Sequence, residues 1–92
     1  MSNGVTADRL HAALDASLRP VQLAVQDDSH LHAGHAGARE GGHFTVRITS
    51  SAFDGLSRVA RHRLVYDAAR SLMAEGIHAL AIEARTPAEA KR

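Results

Sequence analysis

The chain has 92 residues, 45% of them apolar and 23% charged, with a formal net charge of +1 when its 7 histidines are neutral. That length allows one domain with a modest core, and the composition excludes a chain that is disordered throughout. The charge balance gives no whole-protein attraction to nucleic acid, and with no cysteine the chain cannot by itself build a disulfide, a thiolate zinc site or a thiolate iron–sulfur site.

In chain order, Thr6 is placed to cap a helix with Asp8 in its first turn and Leu10, Leu14 and Leu18 at helical spacing, Ala13 beside them, until Pro20 stops it. "VQLAVQD" alternates, with Val21, Leu23 and Val25 on one face, and predicts a half-buried strand. The glycine-rich segment that follows carries His30, His32 and His35 and is expected to be a flexible loop over 28–42. "HFTVRITS" alternates again, with Phe44, Val46 and Ile48 inward, and pairs most simply with the first strand as an antiparallel hairpin. "SAFDG" reads as a short turn or a single helical turn ending at Gly55. Ser57 then caps a long helix reaching about Glu75, with a buried stripe of Leu56, Val59 or Ala60, Leu64, Ala68 and Leu72, and Gly76 terminates it.

"IHALAIEAR" is a third strand with Leu80 and Ile82 on one face, and strand parity puts His78 on their side. Thr86-Pro87 followed by Glu89 signals a short final helix. The order α-β-β-α-β-α has no repeated βαβ unit, so the expected fold is a small α+β sandwich: one domain over 1–92, a three-stranded sheet with helices on one face, and fraying ends at 1–5 and 88–92. No apolar run approaches the roughly 18 residues of a membrane span, and "MSNGVTADR" has no apolar core of a secretory signal, so a cytoplasmic protein without membrane association is expected.

Several of these segments together resemble the BolA family along nearly the whole chain. They are "DDSHLH", "HFTVRITSSAFDGLSRVARHRLVYDA" and "GIHALAIEARTP". The telling pieces are His43-Phe44 opening a strand, Phe53 before Gly55, Arg61-His62-Arg63 with Tyr66, and His78-Ala79-Leu80-Ala81. The resemblance implies a KH-like fold of the second type and a partnership with monothiol glutaredoxins. The partners form heterodimers bridged by a [2Fe–2S] cluster, whose other ligands come from the glutaredoxin cysteine and glutathione. It also implies, for some members, DNA-binding transcriptional regulation linked to stress and cell morphology. The histidine of the "HALA" motif, His78 here, is the implied cluster ligand. The S-x-x-H pattern Ser29-His30-Leu31-His32 offers His32 as the second. The loop is slightly longer than the family pattern, which leaves His30 or His35 as alternates. Free of its partner, the protein is expected to be a monomer or weak homodimer.

The chemistry of the residues is compatible with that implication. Imidazole can replace thiolate on an iron, so a chain without cysteine can donate part of a cluster's ligands and leave the sulfur to a partner. A competing reading makes His78 a rim histidine bonded to backbone carbonyls. The three loop histidines could otherwise hold zinc, nickel or copper, or be solvated, and His43 could pair with a neighbouring carbonyl.

Arg58, Arg61, His62 and Arg63 open the long helix. There 58, 61 and 62 share a face, while 63 turns toward Tyr66 and Arg70. This patch could contact phosphates as a DNA-binding regulator would, dock an acidic patch on a partner, or be a solvated face. Two Phe, one Tyr and no Trp argue against base stacking. The one G-x-x-G, Gly34-His35-Ala36-Gly37, falls between strands, and the helix junction reads Gly55-Leu56-Ser57-Arg58, so the backbone clamp of KH modules is missing. No nucleophile elbow, P-loop or paired-carboxylate arrangement occurs, so no enzymatic activity is expected.

Overall fold

The structure, a computed structural model, describes residues 5–29 and 42–91. Helix α1 (Ala7–Leu18) begins at Thr6, whose side chain accepts the Arg9 amide, and buries Leu10, Leu14 and Leu18 as one row. It ends one residue earlier than proline alone requires, because Arg19 takes a left-handed conformation (φ 46°) and its amide bonds the Asp15 carbonyl. Strands β1 (Gln22–Asp27) and β2 (Gly42–Thr49) pair antiparallel, Leu23 opposite Ile48 and Val25 opposite Val46. Leu23 and Val25 are half-buried as the alternation predicts. Val21, grouped with them from sequence, lies before the strand and is 67% exposed.

A 3-10 turn (Ser51–Phe53) buries Phe53 completely, and Gly55 follows at φ 75°, a left-handed position that suits glycine. Ser50 ties this turn to α1. Its buried hydroxyl donates to the Leu18 carbonyl at 2.6 Å and accepts the Ala52 amide at 3.0 Å. Ser57 caps α2 (Arg58–Ala68). The single long helix expected to Glu75 is divided at Ala69, whose amide is shared between the Val65 and Tyr66 carbonyls, and continues as α3 (Arg70–Glu75).

The buried stripe also differs from the sequence reading. Val65, Ala69 and Leu72 are buried, Leu64 and Ala68 only partly, and Val59 is 65% exposed. The row that faces the core is Arg61–Val65–Ala69, spaced by four. A charged residue occupies its first position, so the row looked polar in the sequence.

Strand β3 (Ile77–Arg85) pairs parallel to β2, giving the sheet order β1-β2-β3, with α2 and α3 forming the crossover. Phe44, Val46 and Ile48 from β2 and Leu80 from β3 face the same core as the α1 and α2–α3 rows, so the helices cover one face of the sheet. Arg9 and Glu75 join α1 to the end of α3 at 2.9 Å. The expected final helix is α4 (Pro87–Ala90), held by a reciprocal Thr86–Glu89 capping box. Among the described residues, no helix is long and apolar enough to cross a membrane.

Candidate metal centre at one end of the sheet

Because β2 and β3 run parallel, both begin at the same end of the sheet. Their first residues are joined by the Gly42 amide donating to the Gly76 carbonyl at 2.8 Å. Directly after that bond the register shifts: Gly42 opposes Ile77, but His43 opposes Ala79. His78 is the extra residue of this bulge. The bulge corrects the parity reading. Ile77 and Leu80 both turn into the core, and His78 does not join Leu80 and Ile82 but is exposed. Its ring stands beside that of His43, with centroids 5.1 Å apart and planes tilted by 43°.

The backbone of His43 is fixed on its other side by the residues leaving β1. Its amide donates to the Ser29 hydroxyl at 3.0 Å, and its carbonyl accepts the Asp28 amide at 2.7 Å. The Asp28 carboxylate in turn accepts from the Thr45 hydroxyl at 2.5 Å and the Gln26 amide at 2.6 Å. Ser29, the first residue of the S-x-x-H stretch, is therefore tied to the strand that carries His43. His30, His32 and His35 lie outside the described residues.

His43 is the residue that sequence reasoning missed. The spacing of Ile77 and Leu80 signals only the bulge at His78, since two apolar residues three apart in a strand require one if both are to be buried; the approach of His43 follows from the parallel register. Among the described residues no group of three metal-ligating side chains occurs. Two imidazoles and no thiol suit part of the coordination of a borderline metal or of an iron–sulfur cluster, with the rest supplied from outside.

The four basic candidates of α2 are not equivalent. Arg58, Arg61 and His62 line one groove with the end of β3, and Arg63 is not among its walls. The Arg61 side chain is 14% exposed and already engaged. It donates to the Leu56 carbonyl at 3.0 Å and the Ala84 carbonyl at 3.1 Å, and grips both Glu89 carboxylate oxygens at 2.7 and 3.0 Å. The Arg61 hydrogen bonds, followed by the Thr86 amide, hold the Glu89 carboxyl down at about 2, and Glu89 raises the guanidinium in return. Phosphate contact by this helix would therefore rest on Arg58, His62 and Arg63, because Arg61 is spent on holding α4 to the sheet.

The family model for BolA-like proteins matches residues 14–89. The chain belongs to the BolA family. Among curated BolA-containing proteins it is 47% identical over 87 residues to SufE-like protein 1 of Arabidopsis thaliana, covering 88% of this chain and 24% of that protein. It is 44% identical to the chloroplastic BOLA1 of the same plant (90% and 54%) and 42% identical to mouse BolA-like protein 1 (87% and 57%). The chain thus spans little more than half the length of these relatives, or less. The BolA domain of SufE1 from Arabidopsis thaliana superposes with a TM-score of 0.81 at 48% identity, over 96% of this chain and 99% of that one. Mouse BolA1 in solution superposes with 0.76 at 38% identity, over 99% and 76%. The BolA fold therefore covers α1 to α4, and the α+β architecture expected from sequence stands.

Proposed function

We propose that this BolA-family chain is an accessory protein that binds a monothiol glutaredoxin and donates His78 to a [2Fe–2S] cluster held between the two. The observation that carries the reading is the bulge at the start of β3, which leaves His78 exposed beside His43 in a chain that has no cysteine. Thiolates from the glutaredoxin and from glutathione complete the cluster. His43, or one of His30, His32 and His35, supplies or supports the second imidazole. A mixed set of thiolate and imidazole raises the reduction potential relative to an all-thiolate cluster. Imidazole must also be unprotonated to bind iron, so acidification releases the cluster.

The experiment mixes the protein with a monothiol glutaredoxin, glutathione, ferrous iron and sulfide, and reads visible absorption and circular dichroism together with the size of the complex. A spectrum distinct from that of glutaredoxin alone is expected, and His78→Ala should return it to the glutaredoxin-only form. An unchanged spectrum in His78→Ala overturns the assignment.

A further inference from the structure

β3 is an edge strand. The Arg85 carbonyl accepts the Ser50 amide, so Arg85, and with it Glu83, Ala81 and Ala79, directs its backbone groups toward β2. Leu80, Ile82 and Ala84 therefore direct theirs away from the sheet. Two of these three carbonyls are taken by side chains of α2: the Tyr66 hydroxyl donates to Leu80 at 3.3 Å and Arg61 to Ala84 at 3.1 Å. Ile82 lies between them, and among the described residues nothing bonds its outward amide or carbonyl. A strand edge of this kind is a template for another backbone.

The edge is also the wall of a groove. Arg58, Arg61 and His62 of α2, Ile82, Glu83, Ala84 and Arg85 of β3, and Glu89 line a space of about 550 Å³. Both carboxylates in it are already neutralised, Glu83 by Arg47 and Arg85 at 3.3 and 2.6 Å and Glu89 by Arg61. Among the described residues Arg58 has no carboxylate partner, so the unbalanced charge along the groove is positive.

We infer that this groove takes an extended, acidic peptide segment of a partner protein, added as a fourth strand along β3 with its backbone bonds centred on Ile82. Main-chain bonds to a sheet edge supply the affinity, and the flanking charge selects the sequence. Nucleic acid fits less well. The groove holds two carboxylates and no Phe, Tyr or Trp ring, and its central arginine is committed to Glu89. The site is independent of the iron reading. Ile82 is four residues along β3 from His78, roughly 13 Å at strand rise, so both ends of the strand can be engaged at once.

The test is amide NMR of the isotopically labelled free protein, without metal or glutaredoxin. Hydrogen exchange comes first: the Ile82 amide should exchange much faster than those of Ala81 and Glu83. Equal protection would mean the edge is already covered and would overturn the proposal. The protein is then titrated with a capped octapeptide alternating glutamate and valine, with its lysine–valine counterpart, and with a short DNA duplex. The acidic peptide should shift the amides of Leu80–Arg85 and Arg58–His62, protect Ile82 from exchange, and bind about tenfold more tightly than the basic one. Methylating the peptide's backbone nitrogens should abolish binding.

Arg58→Glu should weaken the acidic peptide about fivefold to tenfold. Arg58 is the first residue of α2, where a carboxylate suits the helix dipole, so this variant retains the fold. No shifts up to millimolar peptide, shifts centred elsewhere, or the same shifts produced more readily by the duplex would each overturn the proposal.

Discussion

Gly42→Ala is expected to destabilise the protein through a single contact. A β-carbon at position 42 would lie 2.5 Å from Cε2 and 3.2 Å from Cζ of Phe44, whose ring folds back over the glycine. Ordinary carbon contacts are about 3.5–4.0 Å, so the ring edge must retreat by about 1 Å. Phe44 is 2% exposed and packed into the core, and overpacking of this kind costs about 1–3 kcal/mol. Alanine recovers about 0.5–1 kcal/mol because glycine is unfavourable within a strand. The clash wins, leaving a net loss of about 1–2 kcal/mol and a fall in Tm of roughly 5–15 °C for a domain of this size. Urea and thermal unfolding followed by circular dichroism measure it. The decisive comparison repeats Gly42→Ala in a Phe44→Leu background, where the ring is gone and the substitution should become neutral or slightly stabilising. An equal cost in both backgrounds, or none in the first, refutes the contact as the cause.

Val65→Ala should cost about 2 kcal/mol, from two lost methyl groups and the space they leave, while Val59→Ala changes stability by less than about 0.5 kcal/mol; equal costs in urea unfolding would return the buried stripe to the row first read from sequence. Ser50→Ala leaves the buried Leu18 carbonyl without its donor, removes the part-buried bond to the Ala52 amide, and should cost about 1–3 kcal/mol, with the exposed Ser51→Ala as a near-neutral control. The folded Glu89 carboxyl sits at about 2, below its ordinary value of 4.5, so its contribution is complete above 4.5 and disappears as pH falls toward 2. The stability gap between wild type and Glu89→Gln should therefore close over that interval in urea unfolding, and a gap constant with pH refutes the role assigned to the ion pair.

Much of the fold is legible because local rules and tertiary packing agree. Thr6 with Leu10, Leu14 and Leu18, the alternation of Phe44, Val46 and Ile48, and Thr86-Pro87 with Glu89 each announce an element and its buried face. The readings that failed are those where a long-range partner overrides the local pattern. Arg61 sits in a core-facing row because Glu89, 28 positions later, receives its charge, and nothing near Arg61 in the chain announces that. His78 departs from strand parity because of a bulge set by pairing with Gly42 and His43 across the sheet. Val21 alternates correctly but lies just before β1 begins and stays exposed. His78 was prominent in the sequence through a resemblance. His43 becomes prominent only once the parallel register is known, since an antiparallel partner would have left the two rings at opposite ends of the strands.

That parallel pairing also ties chemistry to the order of folding. The two imidazoles meet only after the chain between them has wound through the Ser51–Phe53 turn, α2 and α3 and returned to the starting edge of the sheet. Such non-local closure comes late, because the entropy of the large loop must be spent before its contacts repay it. Until that closure, the chain does not hold the two rings side by side. Any ligand that needs both will recognise finished molecules alone and, by mass action, protect them against unfolding.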